Sequence, residues 1–366
     1  MFYYLSYFRD SYGPLRLFEY TTFRAGGALL TAMLICLFCG PLTVRLLKRF
    51  RAQAPGRLDG LVPDEFIDRD KDKTPSMGGL LIVFSITVST LLWTVISNPL
   101  VMVFLVTLLA YAAVGFVDDY IKVAYRNRDG ISARLKLIFQ VLIAAVAILF
   151  LNKLPETGSR FGELIVPFVS HPVLLSSSTV LVLAFCVFVV VGSSNAVNLT
   201  DGKDGLAVGC TIFCSLTYGM IAYLCGHKIF AGYLNIPFIS GASEVVVLTA
   251  AISGACIGFL WHNCHPASMF MGDTGSLALG GTIGLIAVLV KQEVALVIIG
   301  GVFVMEALSV IIQIAGFKLT GKRVFLCAPI HHHFERKGWT ETQIVVRFWI
   351  LAGIFALLGL ATLKLR

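Results

Sequence analysis

The chain has 366 residues, of which 57% are hydrophobic and only 14% are charged, and its formal net charge is +8. Soluble domains carry about 25% charged residues, and a soluble fold this apolar would expose large apolar patches to water. The composition therefore excludes a soluble or disordered chain and predicts an integral membrane protein.

Apolar stretches long enough to cross a hydrocarbon core of roughly 30 Å recur along the sequence. They predict an all-α integral membrane protein of about ten transmembrane helices, with one polytopic domain (25–366) after an extracytoplasmic N-terminal segment (1–24). Residues 1–20 lack the apolar stretch of a cleavable signal peptide. The predicted spans are 25–47, 78–97, 99–117, 135–151, 174–192, 205–225, 244–261, 276–290, 294–315 and 344–363.

Basic residues are unequally divided between the two sides that ten spans define. The segments after the odd-numbered spans hold 20 of the 29 Lys and Arg residues. The positive-inside rule places these segments in the cytoplasm and both termini outside. Membrane topology thus accounts for the positive charge, and nucleic acid is not an expected partner, because the basic loops contain no nucleic-acid-binding module. The outer segments 155–172 and 226–243 predict a short hairpin and an interfacial segment.

The first polar cluster lies at the inner end of the third span. Asp118 and Asp119 are adjacent there, and Lys122 follows one helical turn later. Two carboxylates at a membrane edge are costly unless they are hydrated, paired or bound to a metal. They indicate either a solvated acidic helix end or a pair that handles metal and phosphate.

A second cluster, residues 195–205 (NAVNLTDGKDG), directly follows the fifth span. Its glycines permit a ligand to approach the backbone, and its Asn and Asp side chains supply donors and acceptors for a nucleoside or a metal. A simple turn between two helices is the alternative, although the segment is long for a turn. The candidate residues are Asn195, Asn198, Asp201, Gly202, Lys203 and Asp204.

The third cluster, residues 263–276, lies between spans seven and eight and includes Gly-Asp-Thr-Gly-Ser before an apolar stretch. This pattern predicts a capped helix N-terminus, which is a common anion site. Asp273 would ligate Mg²⁺ beside such an anion. His262, Cys264 and His265 leave zinc as an alternative, but a structural zinc site needs four ligands with suitable spacing.

Three consecutive histidines, His331, His332 and His333, mark the last predicted cytoplasmic loop. Their imidazolium forms beside Arg and Lys would make an anion-binding wall, and a histidine can donate a proton near neutral pH. A metal-binding tract is the alternative. A basic, glycine-rich segment with Lys71 and Ser76 precedes span two and alone would indicate only an interfacial flank.

Taken together, the clusters supply carboxylates for Mg²⁺, cations for phosphates and a glycine-rich cradle for a nucleoside, all at one membrane face. Charge neutralisation of this kind is what phosphoryl transfer requires. The sequence therefore predicts an enzyme that transfers a phosphorylated group from a soluble nucleotide to a membrane lipid.

Five motifs occur in the order typical of the polyprenyl-phosphate N-acetylhexosamine-1-phosphate transferases, which the chain resembles over almost its whole length after residue 25. The motifs are 74–79 (TPSMGG), 115–119 (GFVDD), 195–202 (NAVNLTDG), 270–273 (FMGD) and 329–335 (PIHHHFE). The acidic motifs are typical of the whole superfamily, and the triple histidine is typical of the branch that acts on muramoyl-pentapeptide donors. Two positions depart from the pattern, Ser76 for the usual Thr and Lys203 for the usual Leu.

This resemblance implies a Mg²⁺-dependent phosphotransferase of the bacterial inner membrane. Its reaction would move phospho-N-acetylmuramoyl-pentapeptide from UDP-N-acetylmuramoyl-pentapeptide to undecaprenyl phosphate, forming lipid I and UMP for peptidoglycan synthesis. Membrane lipids surround such an enzyme, and its oligomeric state, with a homodimer among the options, stays open. The alternatives are a sibling enzyme using UDP-N-acetylglucosamine and a transporter, which would show internal repeats that this sequence lacks.

The resemblance also implies roles for single residues. Asp118 and Asp273 would hold the metal with Asp119 beside them. Asp118 is the expected base toward the lipid phosphate, while a covalent phospho-aspartate route stays open. The expected catalytic set is Asp118, Asp119, Lys122, Asp273, His331 and His332. The expected substrate-binding set is Lys71, Ser76, Asn195, Asn198, Asp201, Gly202, Lys203, Asp204, Asn263, Phe270 (stacked on uracil), Gln313 and His333.

Overall fold

The computed structural model describes residues 1–50, 52, 74–125, 130–158, 161–169, 173–174 and 179–364. In these residues the chain is mostly helical, and its one small sheet is an antiparallel pair of two-residue strands. Two 3-10 helices, Phe2–Phe8 and Gly13–Glu19, come first.

The α-helices and strands then follow in chain order. They are α1 (Thr21–Arg49), α2 (Gly79–Trp93), α3 (Pro99–Ala124), α4 (Ala133–Lys153), α5 (Pro155–Gly158), β1 (Glu163–Leu164), β2 (Val173–Leu174), α6 (Thr179–Thr200), α7 (Leu206–Cys225), α8 (Lys228–Leu234), α9 (Ala242–Asn263), α10 (Gly272–Leu289), α11 (Ala295–Ile299), α12 (Gly301–Thr320), α13 (Ile330–Arg336) and α14 (Glu341–Ala361).

Within the described residues, nine helices are long and apolar enough to cross a membrane, and α2 is a shorter apolar helix of 15 residues. Each predicted span corresponds to a helical segment, which confirms the all-α membrane fold. The ninth span is divided at Gly300 into α11 and α12. The predicted hairpin is present as β1 and β2, and because it extends to Leu174, the fifth span begins later than predicted, at Thr179.

The core is built around α10, whose side chains are buried along almost the whole helix. Helices α3 and α6 pack against it directly. A Cβ added to Gly115 of α3 would overlap the carbonyl oxygen of Asp273, and one added to Gly79 of α2 would overlap the backbone nitrogen of Gly275. Small residues allow this close approach between membrane helices. The packing places the first turn of α10 against the last turns of α3.

A buried ion pair stabilises the opposite end of the bundle. Arg24 of α1 donates through Nη1 and Nη2 to the Glu244 carboxylate of α9, at 2.8 and 2.7 Å. The backbone N–H of Val95 donates to the same carboxylate at 2.8 Å. Bidentate pairing and further hydrogen bonds offset the desolvation of two buried charges. The pair therefore fixes α1, α9 and the α2–α3 turn to each other.

Candidate active site

Three aspartates meet where α3 and α10 touch. Asp118 and Asp119 lie near the end of α3, and Asp273 lies in the first turn of α10. All three side chains are buried, and their carboxylate oxygens lie within 4.8 Å of one another. The helix continues to Ala124, so the acidic pair is on the helix and not beyond its end. Such a concentration of buried negative charge requires cations nearby.

Asp119 caps helix α10. Its Oδ1 accepts a hydrogen bond from the backbone nitrogen of Asp273 at 3.0 Å, and its Oδ2 accepts from the backbone nitrogen and hydroxyl of Thr274 at 2.9 and 2.7 Å. A helix start leaves its first N–H groups without intrahelical partners, and a carboxylate is a strong acceptor for them.

The predicted capped helix N-terminus is therefore present, and its cap comes from another helix. The anion at the N-terminus of α10 is the Asp119 carboxylate of α3. Gly272 has φ 75°, and a Cβ there would lie 2.7 Å from Asp119 Oδ2. A larger residue would thus be strained and would also block the carboxylate.

Two lysine ammonium groups lie between Asp118 and Asp273. Lys122 Nζ is 2.5 Å from Asp118 Oδ2 and 3.1 Å from Asp273 Oδ2. Lys136 of α4 contacts Asp273 Oδ2 and lies 3.3 Å from Asp118 Oδ2. The backbone N–H of Ile131 also donates to Asp118 Oδ1 at 2.9 Å. These cations favour the ionised form of both carboxylates.

The second predicted cluster lies partly on a helix. Asn198 belongs to α6, and its Nδ2 donates to Asp273 Oδ1 and to Ser276 Oγ, both at 2.8 Å. The prediction that this motif follows the span was wrong for its first half, because α6 continues to Thr200. Asn195, one turn earlier, does not join the aspartates: its Nδ2 donates to Gln140 Oε1 of α4 at 2.7 Å.

A second acidic group surrounds the loop between α6 and α7. Asp204 Oδ2 accepts hydrogen bonds from His265 Nδ1 at 3.0 Å and from the backbone of Ala267 at 3.2 Å. The backbone nitrogen of Asp204 donates to Glu341 Oε1 at 3.0 Å. Ligand atoms of Asp204, His265 and Glu341 all lie within 4.8 Å of one another. Lys203 Nζ is 2.5 Å from Glu335 Oε1, so its extra charge has a local counterion.

The residues considered for zinc are not brought together in the described part of the chain. His262 Nε2 lies 3.3 Å from the carbonyl oxygen of Leu37, while His265 faces Asp204. Cys264 is exposed, and its thiol lies 3.7 Å from the carbonyl oxygen of Trp261. His262, Cys264 and His265 therefore do not form one common ligand set in the described residues.

Asn263 and Phe270 hold loops together beside this second group. Asn263 Oδ1 accepts from the backbone of Gly205 at 3.0 Å, and its Nδ2 donates to the carbonyl of Met269 at 2.9 Å. The backbone nitrogen of Phe270 donates to Pro75 at 2.9 Å, which joins the loop before α10 to the segment before α2. The Phe270 ring is partly exposed.

Ser76 and Asp201 border the same region. Ser76 is buried, and its Oγ would lie 3.1 Å from a Cβ at Gly272. Asp201 directly follows α6, and its backbone N–H donates to Val197 at 3.1 Å. Lys71 lies outside the described residues.

His331 is buried beside the loop between α6 and α7, which contains Gly202. Its side chain is 1% exposed, and its Nδ1 lies 3.1 Å from Oε2 of Glu306, which is fully buried in α12. The two atoms are close but lack the alignment of a hydrogen bond. A Cβ at Gly202 would lie 2.5 Å from His331 Nε2. His331 therefore connects α12 to the loop that carries Gly202.

His332 lies in α13 and pairs with a nearby carboxylate. Its Nδ1 donates to Glu335 Oε2 at 2.9 Å. Burial lowers the pKa of His332 below its usual value, with the Glu335 hydrogen bond partly opposing this shift. The His332 hydrogen bond lowers the pKa of Glu335 to about 2. Burial thus disfavours the charged form of His332, the form on which the predicted anion-binding wall depends.

His333 and Gln313 shape the loop between α12 and α13. His333 Nδ1 accepts from the backbone nitrogen of Leu326 at 3.1 Å. Gln313 Oε1 accepts from the backbone of Val324 and Phe325 at 3.1 and 2.8 Å. Neither contact involves the three aspartates, so both residues act on loop conformation in this structure.

Sequence reasoning missed three residues of the site, namely Lys136, Glu306 and Glu341. Lys136 enters the sequence analysis only among the basic residues of the predicted cytoplasmic side, and Glu341 is not singled out there. Glu306 lies inside the ninth span, and a lone ionisable residue in a membrane span is itself a signal of function. That signal could have identified Glu306 before the structure.

Known proteins are similar to this chain over its full length. The glycosyl transferase family 4 model matches residues 101–291, which include the three aspartates. A phospho-N-acetylmuramoyl-pentapeptide-transferase from Methylacidiphilum infernorum (isolate V4) is 45% identical over 367 residues, with 100% of both chains covered. Proteins of the same name from Neisseria meningitidis strains FAM18 and Z2491 are each 47% identical over 366 residues, again with 100% of both chains covered.

Proposed function

The chain belongs to the phospho-N-acetylmuramoyl-pentapeptide-transferase family, and we propose that its three-aspartate site performs that transfer. The protein is a multi-pass phosphotransferase of the bacterial inner membrane that acts in peptidoglycan synthesis. It transfers phospho-N-acetylmuramoyl-pentapeptide from its UDP carrier to undecaprenyl phosphate, producing lipid I and UMP.

One observation carries the assignment of the site. Three buried carboxylates from α3 and α10 and two ammonium groups occupy one small volume. Buried charges are expensive to maintain for packing alone. Preorganised charge of both signs is what a diphosphate and its metal require, because the transferred group spreads negative charge over its oxygens.

We propose Mg²⁺ as the ion, with Asp273 and Asp118 as its protein ligands. The donor set consists of oxygens, which Mg²⁺ prefers, and one or two carboxylates plus phosphate oxygens are its usual ligands. Asp119 is committed to the N-terminus of α10 and holds Asp273 in place. Bound there, the ion would neutralise charge on the donor diphosphate, and Lys122 and Lys136 would contribute further positive charge.

The proposed chemistry is a direct displacement. An oxygen of the lipid phosphate forms a bond to the sugar-linked phosphorus, the bond from that phosphorus to the oxygen that bridges the two donor phosphates breaks, and UMP leaves with the bridging oxygen. The lipid phosphate is largely anionic at pH 7, and we propose the Asp118 carboxylate as the acceptor for its remaining proton. Lys122, 2.5 Å from Asp118, helps to hold that carboxylate in position.

The rest of the donor would extend over the second acidic group. We place the uridine near Gly202, Asp204, Asn263 and Phe270, and the muramoyl-peptide arm near α13. His332 offers its ring Nε2 to that arm, and Lys203 offers a cation held by Glu335. We further propose that this face of the bundle is cytoplasmic, because the UDP donor is soluble and most basic residues lie in these loops.

A donor-by-acceptor assay tests the proposal. Purified protein in detergent is given UDP-N-acetylmuramoyl-pentapeptide or UDP-N-acetylglucosamine, with or without undecaprenyl phosphate and with Mg²⁺ or a chelator. We expect UMP release and a lipid product of the mass of lipid I from the first donor only, dependent on Mg²⁺. His332→Ala should lower turnover far more than UMP binding. Faster release from UDP-N-acetylglucosamine, or none from either donor, would refute the proposal.

A further inference from the structure

Helix α14 carries one cation on an outward, apolar face. Arg347 is exposed. Helix α14 contains one other charged residue, Glu341 at its start. The neighbours of Arg347, Val346 and Ile350, are 50% and 58% exposed. Because α14 is long and apolar enough to cross a membrane, this face meets lipid. A charged side chain in such a position is costly and is normally matched by a partner.

The guanidinium group is held by an aromatic stack. Its central carbon lies 3.9 Å from the ring centroid of Trp339, and Trp339 stacks on Phe334 with centroids 4.4 Å apart. Gly338, at φ 90°, turns the chain after α13, and the backbone nitrogen of Trp339 donates to Phe334 at 3.2 Å. Stacking occupies one face of the guanidinium plane and leaves its N–H edge for an anion. Among the described residues, no carboxylate forms an ion pair with it.

An apolar cavity adjoins this cation. It has a volume of about 280 Å³ and is lined by Phe334, Trp339, Arg347, Phe348, Ile350 and Leu351. The guanidinium is the only charged group of the lining. A cavity with apolar walls and one cation at its rim is complementary to an amphiphile with an anionic head.

The depth of Arg347 indicates what the anion is. The residue lies six positions beyond Glu341, about 9 Å along the helix axis. Glu341 accepts from the backbone of Asp204, so this end of α14 lies on the same face as the loops of the site. Trp and Arg are enriched at the level of lipid headgroups. The anion available at that level is a phospholipid phosphate.

We propose that Arg347, Trp339 and this cavity bind an anionic glycerophospholipid, with its phosphate on the guanidinium and part of an acyl chain in the cavity. The lipid substrate is not the occupant. Helix α14 packs mainly against α7, α11 and α12, whereas the three aspartates lie on α3 and α10. A phosphate at Arg347 is therefore away from the reacting groups, and the proposal does not depend on the function proposed above.

Native mass spectrometry of the purified protein in neutral detergent tests this site. The protein is titrated with phosphatidylglycerol or with phosphatidylcholine of the same acyl chains. We expect a preference for phosphatidylglycerol of about five- to tenfold in apparent Kd, which is the scale of one basic residue at an anionic surface. Arg347→Gln should abolish the preference, and Trp339→Leu should reduce it. The matched control Arg323→Gln removes an exposed cation from the α12–α13 loop and should keep the preference.

Three results would overturn the proposal. The first is a phosphatidylglycerol preference in Arg347→Gln equal to that of the unaltered protein. The second is displacement of phosphatidylglycerol by millimolar inorganic phosphate, which would indicate a site for free phosphate. The third is an Arg347-dependent retention of undecaprenyl phosphate with no such dependence for phosphatidylglycerol. An unchanged melting temperature shows that a variant is folded, and the reduced preference expected of Trp339→Leu tests the site if Arg347→Gln does not fold.

Discussion

Asp118 and Asp119 are adjacent in the chain but face different partners. Successive residues of an α-helix are about 100° apart around its axis, so neighbouring side chains point in different directions. Asp119 faces the N-terminus of α10, and Asp118 faces Lys122 and Lys136. The same residue type therefore serves to position the helix in one case and to supply charge at the site in the other.

This division of roles gives different expectations for two substitutions. Asp273→Asn keeps the side-chain size but removes the charge that faces both lysines and the proposed ion, so turnover should fall about 100-fold or more with little loss of stability. Asp119→Asn replaces an acceptor of α10 backbone groups and should lower the free energy of unfolding by about 1–3 kcal/mol. UMP release across a Mg²⁺ titration and thermal melting measure the two effects. Asp10→Asn, at an exposed position, is the control. Wild-type turnover in Asp273→Asn would contradict the assignment.

Glu306 is expected to position His331. Its buried carboxylate lies 3.1 Å from His331 Nδ1, and the other ring nitrogen faces Gly202. Glu306→Gln keeps the volume but removes the charge, so kcat should fall about tenfold while the melting temperature changes little. Residues that act through one contact are non-additive. The double variant Glu306→Gln, His331→Asn should therefore be no slower than His331→Asn alone, and fully additive losses of kcat would contradict this role.

At the scale of elements, the spans were predictable and their ends were not. Hydropathy reports where the chain is apolar, whereas a helix continues as long as its backbone can hydrogen-bond. Helix α3 thus runs past Asp118 and Asp119 to Ala124, and α6 includes Asn195 and Asn198 before it ends at Thr200. The motifs were correctly placed along the chain, but the turns of helix that orient them could not be inferred from apolar length.

The site depends on the close packing of helix α3 against helix α10. A Cβ at Gly115 would overlap the Asp273 carbonyl oxygen, so Gly115→Ala must push the two helices apart. Overpacking of this kind costs about 1–3 kcal/mol. We expect a lower melting temperature and a turnover loss of about tenfold, because Asp273 moves relative to Asp118. Gly192→Ala on α6 is the matched control, since a Cβ there meets nothing within 4 Å. Equal behaviour of the two variants would show that the crossing is not tight.

At the scale of the whole molecule, the site is assembled from distant parts of the chain. The Asp119–Thr274 contact joins residues 155 positions apart, and the Lys203–Glu335 pair joins residues 132 positions apart. Motif recognition identified most of these residues because each segment is distinctive by itself. It could not pair them, and it missed Lys136 and Glu341, because a single charged residue at a helix start has no distinctive local pattern. The Arg24–Glu244 pair at the other end was missed for the same reason.

All site loops emerge at one end of the bundle, which makes membrane orientation a testable property of the whole chain. The distribution of basic residues predicts that this end is cytoplasmic. The native chain has reporters there: Cys264 is exposed in the α9–α10 loop and Cys327 is partly exposed in the α12–α13 loop, whereas the other seven cysteines lie in helices. A membrane-impermeant maleimide should therefore label the unaltered protein in inside-out vesicles and not in right-side-out vesicles.

Lys228→Cys, an exposed position at the start of α8, should add labelling in right-side-out vesicles only. Cys264→Ser should lower the inside-out signal, which identifies its source. Labelling of Cys264 from the outer side would reverse the orientation and would place the loops proposed to bind the nucleotide away from the soluble donor.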